Sequence, residues 1–203
     1  MINRRHFMML GAVLAPSACA TDAPIAGPVP EVGFQHLAPV RLNVSIVEVQ
    51  SSYQSPMKAP NAEHRFATPP AQAMMGWAKS RLRAVGGSGN GAVATFIVED
   101  AKVIETKLKK TEGFKGFFTY EPTERYDATA VARLLIENSE TGSHGEIEVN
   151  AARSIEISEN ATLSEREQAW FSLTETLMAD FNAQMEKQIG AHLSQWLDPP
   201  VPK

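Results

Sequence analysis

From position 40 onward, apolar and polar positions alternate in a way that predicts discrete elements. Leu42, Val44 and Ile46 alternate with polar neighbours, and Val47 and Val49 extend the run, which predicts a first strand. Residues 50–67 are polar, hold Pro56 and Pro60, and predict a long loop. Thr68 followed by Pro69 predicts a helix start with proline in the first turn. Met74, Trp77, Ala78, Leu82 and Val85 recur every three or four positions, giving one apolar helix face that Gly86-Gly87 ends. Ala92, Ala94, Phe96 and Val98 then alternate before the phase slips to Ala101 and Val103, which predicts a second strand bulged near Glu99-Asp100.

A hairpin follows. Tyr126, Ala128, Ala130, Ala132, Leu134 and Ile136 share one face, as do Ile147, Val149, Ala151, Ile155 and Ile157. Glu146, Glu148, Asn150 and Glu156 point the other way, and the turn falls between Asn138 and Gly145. Alternation this strict buries one face and wets the other, the habit of an antiparallel sheet. Thr162 and Glu165 form a capping-box pattern ahead of a stripe of Trp170, Leu173, Leu177, Phe181, Met185, Ile189, Leu193 and Trp196. A helix from Leu163 to Leu197 would be about 50 Å long, so it either overhangs a small sheet or kinks at Gly190. The order is β-α-β-β-β-α. The expected fold is α+β, a two-layer sandwich with a four-stranded, mostly antiparallel sheet and two helices on one face.

The N-terminus changes the picture from a fold to an address. Arg4-Arg5-His6 precedes the short apolar stretch Phe7 to Ala15. This resembles the bacterial twin-arginine (Tat) export signal, in which two arginines stand shortly before apolar residues such as Phe7, and it implies recognition through Arg4, Arg5 and Phe7. Pro16-Ser17-Ala18-Cys19 resembles a lipobox, with small residues before the cysteine and proline where leucine is usual. That resemblance implies lipidation at Cys19, and Ala20 after it resembles the outer-membrane sorting pattern. Ala18-Cys19-Ala20 also reads as an ordinary small-x-small cleavage site that would release a soluble periplasmic protein. Residues 20–39 contain Pro24, Pro28, Pro30 and Pro39 and suit a semi-stiff tether. The chain therefore divides into a signal segment at 1–19, a tether at 20–39, one domain at 40–197 and a tail at 198–203.

Composition narrows the chemistry. The 203 residues are 43% hydrophobic and 21% charged, with a net charge of −4. Losing residues 1–18 removes Arg4 and Arg5 and no acid, so the remainder is more acidic still. Acidic chains are poor nucleic-acid partners. No later run approaches the roughly 20 apolar residues of a membrane span. Cys19 is the single cysteine, which forbids an intrachain disulfide. The histidines are isolated in sequence, so no metal site and no cofactor is expected. Gly86-Gly-Ser-Gly-Asn-Gly91 follows a helix and lacks the lysine of a phosphate loop, so it reads as a turn. Ser154 and Ser158 fit no nucleophile elbow, and Glu146, Glu148 and Glu156 read as a solvated sheet face; no catalytic residue is assigned.

One segment stands out. Lys107, Lys109, Lys110 and Lys115 interleave with Phe114, Phe117, Phe118 and Tyr120. These residues suit a patch for anionic lipid or, equally, a protein partner, set against the commoner outcome of a loop that buries its own rings. Arg125-Tyr126-Asp127 and Ala152-Arg153-Ser154, in this order of elements, resemble uncharacterised alphaproteobacterial Tat-signal lipoproteins. The layout also resembles LptE-like lipoproteins and the auxiliary lipoproteins of lipid-transport ABC systems. The resemblance implies a non-enzymatic envelope lipoprotein, an accessory or assembly part of a membrane or transport complex. Its implied partners are the membrane, through a lipid on Cys19, and an envelope protein. A periplasmic lipid or small-molecule binder, or a periplasmic hydrolase, are the alternatives.

Overall fold

In the computed structural model, residues 32–87, 89, 91–109 and 122–198 are described. Their elements are β1 (Val40–Leu42), β2 (Ile46–Ser51), α1 (Pro70–Arg81), β3 (Leu82–Ala84), β4 (Ala92–Asp100), β5 (Val103–Lys107), β6 (Pro122–Asn138), β7 (His144–Ser158) and α2 (Leu163–His192). The fold is mixed α+β. The expected four-stranded, mostly antiparallel sheet is corrected in three ways. The main sheet has five strands, its β2–β4 pair is parallel, and β1 and β3 form a separate two-stranded parallel sheet.

The extra strands have identifiable causes. The predicted slip near Glu99-Asp100 is present: the β4–β6 register shifts between Val98 and Asp100. The Asp100 carboxylate accepts from the Lys102 N–H at 3.1 Å, turning the backbone there. The run is thus divided into β4, opposite residues 131–138 of β6, and β5, opposite residues 124–128. The predicted first strand is divided as well. Leu42 and Val44 are buried, the chain breaks at residues 43–45, and β2 resumes with Val47 and Val49 half-buried and Ile46 exposed.

The first helix also differs at both ends. Pro69 is its N-cap and Pro70 its first residue, with no side-chain cap from Thr68. It stops at Arg81, not at Gly86-Gly87, because residues 82–84 pair with β1 (Val40↔Leu82, Leu42↔Ala84). Ladder bonds to a neighbouring strand outcompete another helical turn there. Val85 is consequently exposed.

The hairpin and final helix follow the sequence pattern. Every β6 core-face residue from Tyr126 to Ile136 is buried, and so are Ile147, Val149, Ala151 and Ile157 of β7. The capping box at Thr162 and Glu165 forms in full, and the whole stripe from Trp170 to Trp196 is buried. α2 runs back along β7: Trp170 meets Tyr126 at 5.8 Å near the start of β6, while Leu193 and Trp196 crowd Gly145 near the start of β7. Its 30 residues span about 45 Å and the 17 of β6 about 56 Å. The helix is long because it lies along the strands, not across them, and it continues through Gly190. Alanines on the sheet (Ala94, Ala130, Ala132) leave room for the ring cluster Trp77, Phe96 and Phe181, whose centroids lie 5.3–6.3 Å apart. Such rings contribute about 1.5–3 kcal/mol each by leaving water, plus edge-to-face attraction.

Candidate functional site

Two ends of this elongated body carry its built polar features. At one end, the incoming and outgoing chain are clamped together. Leu42 bridges Leu197, the Asn43 N–H donates to the Trp196 carbonyl at 2.7 Å, and the Asp198 N–H donates to the Arg41 carbonyl at 2.9 Å. The Arg41 guanidinium grips the Asp198 carboxylate through Nε at 3.0 Å and Nη2 at 2.8 Å. β1 therefore lies between β3 and the C-terminal segment. Just upstream, Phe34 is buried in the core and the Arg81 side chain donates to the Ala38 carbonyl and to Glu186. Arg81 is 3% exposed, and a buried guanidinium is tolerated only with such partners. Residues 32–39, within the stretch the sequence assigns to the tether, thus pack on the domain through Phe34 and Ala38.

At the opposite end, where β5 leaves and β6 enters, charged and aromatic groups interlock. The Arg65 guanidinium sits over the rings of Tyr126 (5.7 Å) and Trp170 (5.3 Å) and pairs with Glu105 at 2.5 Å. Phe66 stacks on Trp170 with centroids 5.2 Å apart. Glu124 accepts from Arg166 and, at 2.9 Å, from the Tyr126 hydroxyl. Burial alone would raise the Glu124 pKa, but these bonds and charges outweigh it and hold the carboxyl below its ordinary value. Burial, then the bond to Glu124, pushes the Tyr126 phenol up.

Between the ends lies a buried carboxylate. Glu63, 2% exposed, accepts from Ser55 Oγ (2.5 Å), Tyr53 OH (2.7 Å) and the Val103 N–H (3.0 Å), with Asn61 Nδ2 at 3.4 Å. Burial would raise its pKa; the bonds from Ser55, Tyr53 and Val103 win, and it is held below the ordinary value. Burial first, and the bond to this anion next, push the Tyr53 phenol well up. The cluster ties the long 52–62 loop to β5.

Arg4, Arg5, Phe7 and Cys19 lie outside the described residues, as do Lys110, Phe114, Lys115, Phe117, Phe118 and Tyr120. Lys107 closes β5 opposite Glu124, and it and Lys109 are exposed. Among the described residues no group of three His, Cys, Asp or Glu could hold a metal ion, and no helix is long and apolar enough to cross a membrane. Arg125-Tyr126-Asp127 and Ala152-Arg153-Ser154 lie inside the hairpin, on β6 and β7, and meet at the single register pair Asp127↔Ser154. Asp127 accepts from Ser154 Oγ at 2.6 Å and Arg125 Nε at 2.9 Å. Arg81 and Glu63 were not singled out by sequence. Arg81 carried a signal: it falls three after Ala78 and four after Trp77, on the apolar face of α1. Glu63 lies in an aperiodic polar loop and carried none.

No family model matches the chain, and no curated protein matches it. Among solved structures, a minor lipoprotein from Acinetobacter baumannii is similar with a TM-score of 0.37 and 16% identity, over 81% of this chain and 100% of that one. A neuraminyllactose-binding hemagglutinin homologue from Helicobacter pylori gives 0.38 and 10%, over 83% and 96%. A Xanthomonas campestris protein of the DUF330 family gives 0.28 and 13%, over 74% and 98%. Likenesses at these TM-scores do not define a shared fold, and no family is assigned.

Proposed function

We propose that this chain is a non-enzymatic lipoprotein of the cell envelope. In this reading Arg4, Arg5 and Phe7 direct Tat export, and Cys19 carries the lipid that holds the domain at the periplasmic side of the outer membrane. The domain then serves as an accessory or assembly part of a membrane complex. The observation that carries the reading is the clamp around β1. A chain pulled from its N-terminal side loads β1, which is bonded to β3 on one side and to Leu197 on the other. Arg81 and the Arg41–Asp198 pair reinforce that point of entry. Such a clamp would keep the entry strand seated if tension arrived through the residues before it, as tethering at Cys19 requires. α2 then carries the Arg65–Trp170 end about 33 Å along the helix axis from His192 at the clamp end, which suits a part that reaches from a membrane to a partner.

The test is fatty-acid labelling combined with detergent capture from the native envelope. Label on the wild type, its loss in Cys19→Ser, and recovery of a defined membrane complex support the reading. An unlabelled wild type refutes the anchor, and a labelled chain recovered alone refutes the accessory role.

A further inference from the structure

The two edges of the main sheet are unequal. Among the described residues β7 pairs only with β6, so one side of a 15-residue strand has no strand partner. The hydrogen-bond parity shows which groups are left. The Thr129 N–H donates to the Lys102 carbonyl, so odd-numbered β6 residues bond toward β5; the Asn138 N–H donates to the Ser143 carbonyl, so even-numbered ones bond toward β7. With Thr129 opposite Ala152 and Val131 opposite Asn150, the β7 residues whose N–H and C=O point outward are Glu146, Glu148, Asn150, Ala152, Ser154 and Glu156. All six are exposed. An exposed edge of this length is normally shortened, bulged or covered, since it templates pairing with another chain.

Two further features sit along this edge. On the helix side, a groove of about 530 Å³ runs between β7 and α2, floored by Ile155 and Leu173 and walled on α2 by the small residues Ser172, Thr176 and Ala179. The Arg153–Asp180 ion pair closes one end of it at 2.5 Å. On the open side, carboxylates outnumber cations. Glu99 and Glu146 share Arg133, with Glu148 beside it, and Asp127 occupies Arg125, whose register partner is Glu156.

We propose that the outer edge of β7, from Glu146 to Glu156, docks an extended basic peptide of another protein as an added strand. Main-chain bonds to the six outward residues hold it. Because side chains alternate along a strand, those of one set that pass residues 153–155 reach the groove beside α2, and the other set lies over the acidic sheet face. The groove takes small or β-branched apolar groups, and the carboxylates take lysine or arginine. A second copy is a poorer occupant, because joining two β7 edges brings two acidic sheet faces together. The inference does not depend on the lipid anchor, so it is testable on the whole chain carrying Cys19→Ser.

The probe is a nine-residue peptide alternating lysine and valine, followed by fluorescence anisotropy. Its counterparts are the same peptide N-methylated at every second residue and one with glutamate for lysine. The first should bind, more weakly as salt rises; the other two should bind at least about tenfold more weakly, having lost main-chain donors or charge complementarity. Ala152→Pro removes one outward N–H and leaves the β6 ladder intact, and edge positions of this kind tolerate proline. It should weaken binding by a similar factor with an unchanged circular dichroism spectrum. Glu146→Lys with Glu148→Lys, both on exposed side chains, keeps the test open should the proline variant misfold, and should reverse the preference toward the glutamate peptide. Absence of binding up to about 1 mM, equal binding of the N-methylated peptide, or indifference to charge reversal overturns the proposal. So does elution as a dimer that Ala152→Pro dissociates, which would assign the edge to a second copy.

Discussion

Replacing Glu63 by glutamine tests whether the buried carboxylate organises the loop between β2 and α1. The substitution keeps size and one oxygen, which still accepts from the Val103 N–H. The other oxygen, now bonded by Ser55 Oγ at 2.5 Å and Tyr53 OH at 2.7 Å, becomes an amide donor, so both hydroxyls must rotate to accept. Hydrogen bonds to charged groups contribute about 1.5–3 kcal/mol and neutral ones about 0.5–1.5 kcal/mol. Turning two of the former into the latter costs roughly 2 kcal/mol. For a domain of this size that lowers Tm by about 4–8 °C. Glu63→Ala strands the donors and costs more, roughly 4 kcal/mol.

The pH dependence gives a second, independent reading. The folded-state pKa of Glu63 lies below its unfolded value, so its contribution is complete above about pH 4.3 and drains as pH falls through the folded value. Urea unfolding of wild type and Glu63→Gln should therefore show the largest gap near neutrality and convergence in acid. Amide exchange at Val103 should accelerate in the variant. A gap below about 0.5 kcal/mol at pH 7, or one that stays constant into acid, refutes the charge-centred account.

Two shorter tests address the rest of the scaffold. Gly145→Ala would set a Cβ 2.7 Å from Leu193 Cδ2 and 2.9 Å from Trp196 Nε1, so it should overpack the clamp end by about 1–3 kcal/mol, read by chemical denaturation; full wild-type stability would show that the Trp196 turn yields freely. Thr162→Ala removes the capping-box hydroxyl bonded to the Glu165 N–H and should cost about 0.5–2 kcal/mol, with faster exchange confined to the first turn of α2.

The legible parts of this protein were those written in periodicity. The β6–β7 hairpin, the α2 stripe, the capping box and the slip near Asp100 each depend on residues close in sequence or on a period of two or 3.6. The slip announced a bulge, yet that the chain then forms two separately paired strands on one edge of β6 depends on the register with residues 124–138. The end of the first helix is illegible for the same reason: nothing between Met74 and Val85 forbids helix, and only β1, some forty residues earlier, offers residues 82–84 a better set of bonds.

The candidate features divide along the same line. The sequence alone determined the Arg4-Arg5 pair ahead of a short apolar run, the solitary Cys19, the acidic balance and the wet face carrying Glu146, Glu148 and Glu156, since these are properties of residue identity and short spacing. Tertiary structure decided that Arg41 meets Asp198, that Arg81 holds Ala38 and Glu186, and that Glu63 gathers Tyr53, Ser55 and Val103. It also decided that β7 is an edge strand. Sheet order is set by which hydrophobic faces α1 and α2 can cover together, a global packing outcome that no local stretch of the chain encodes.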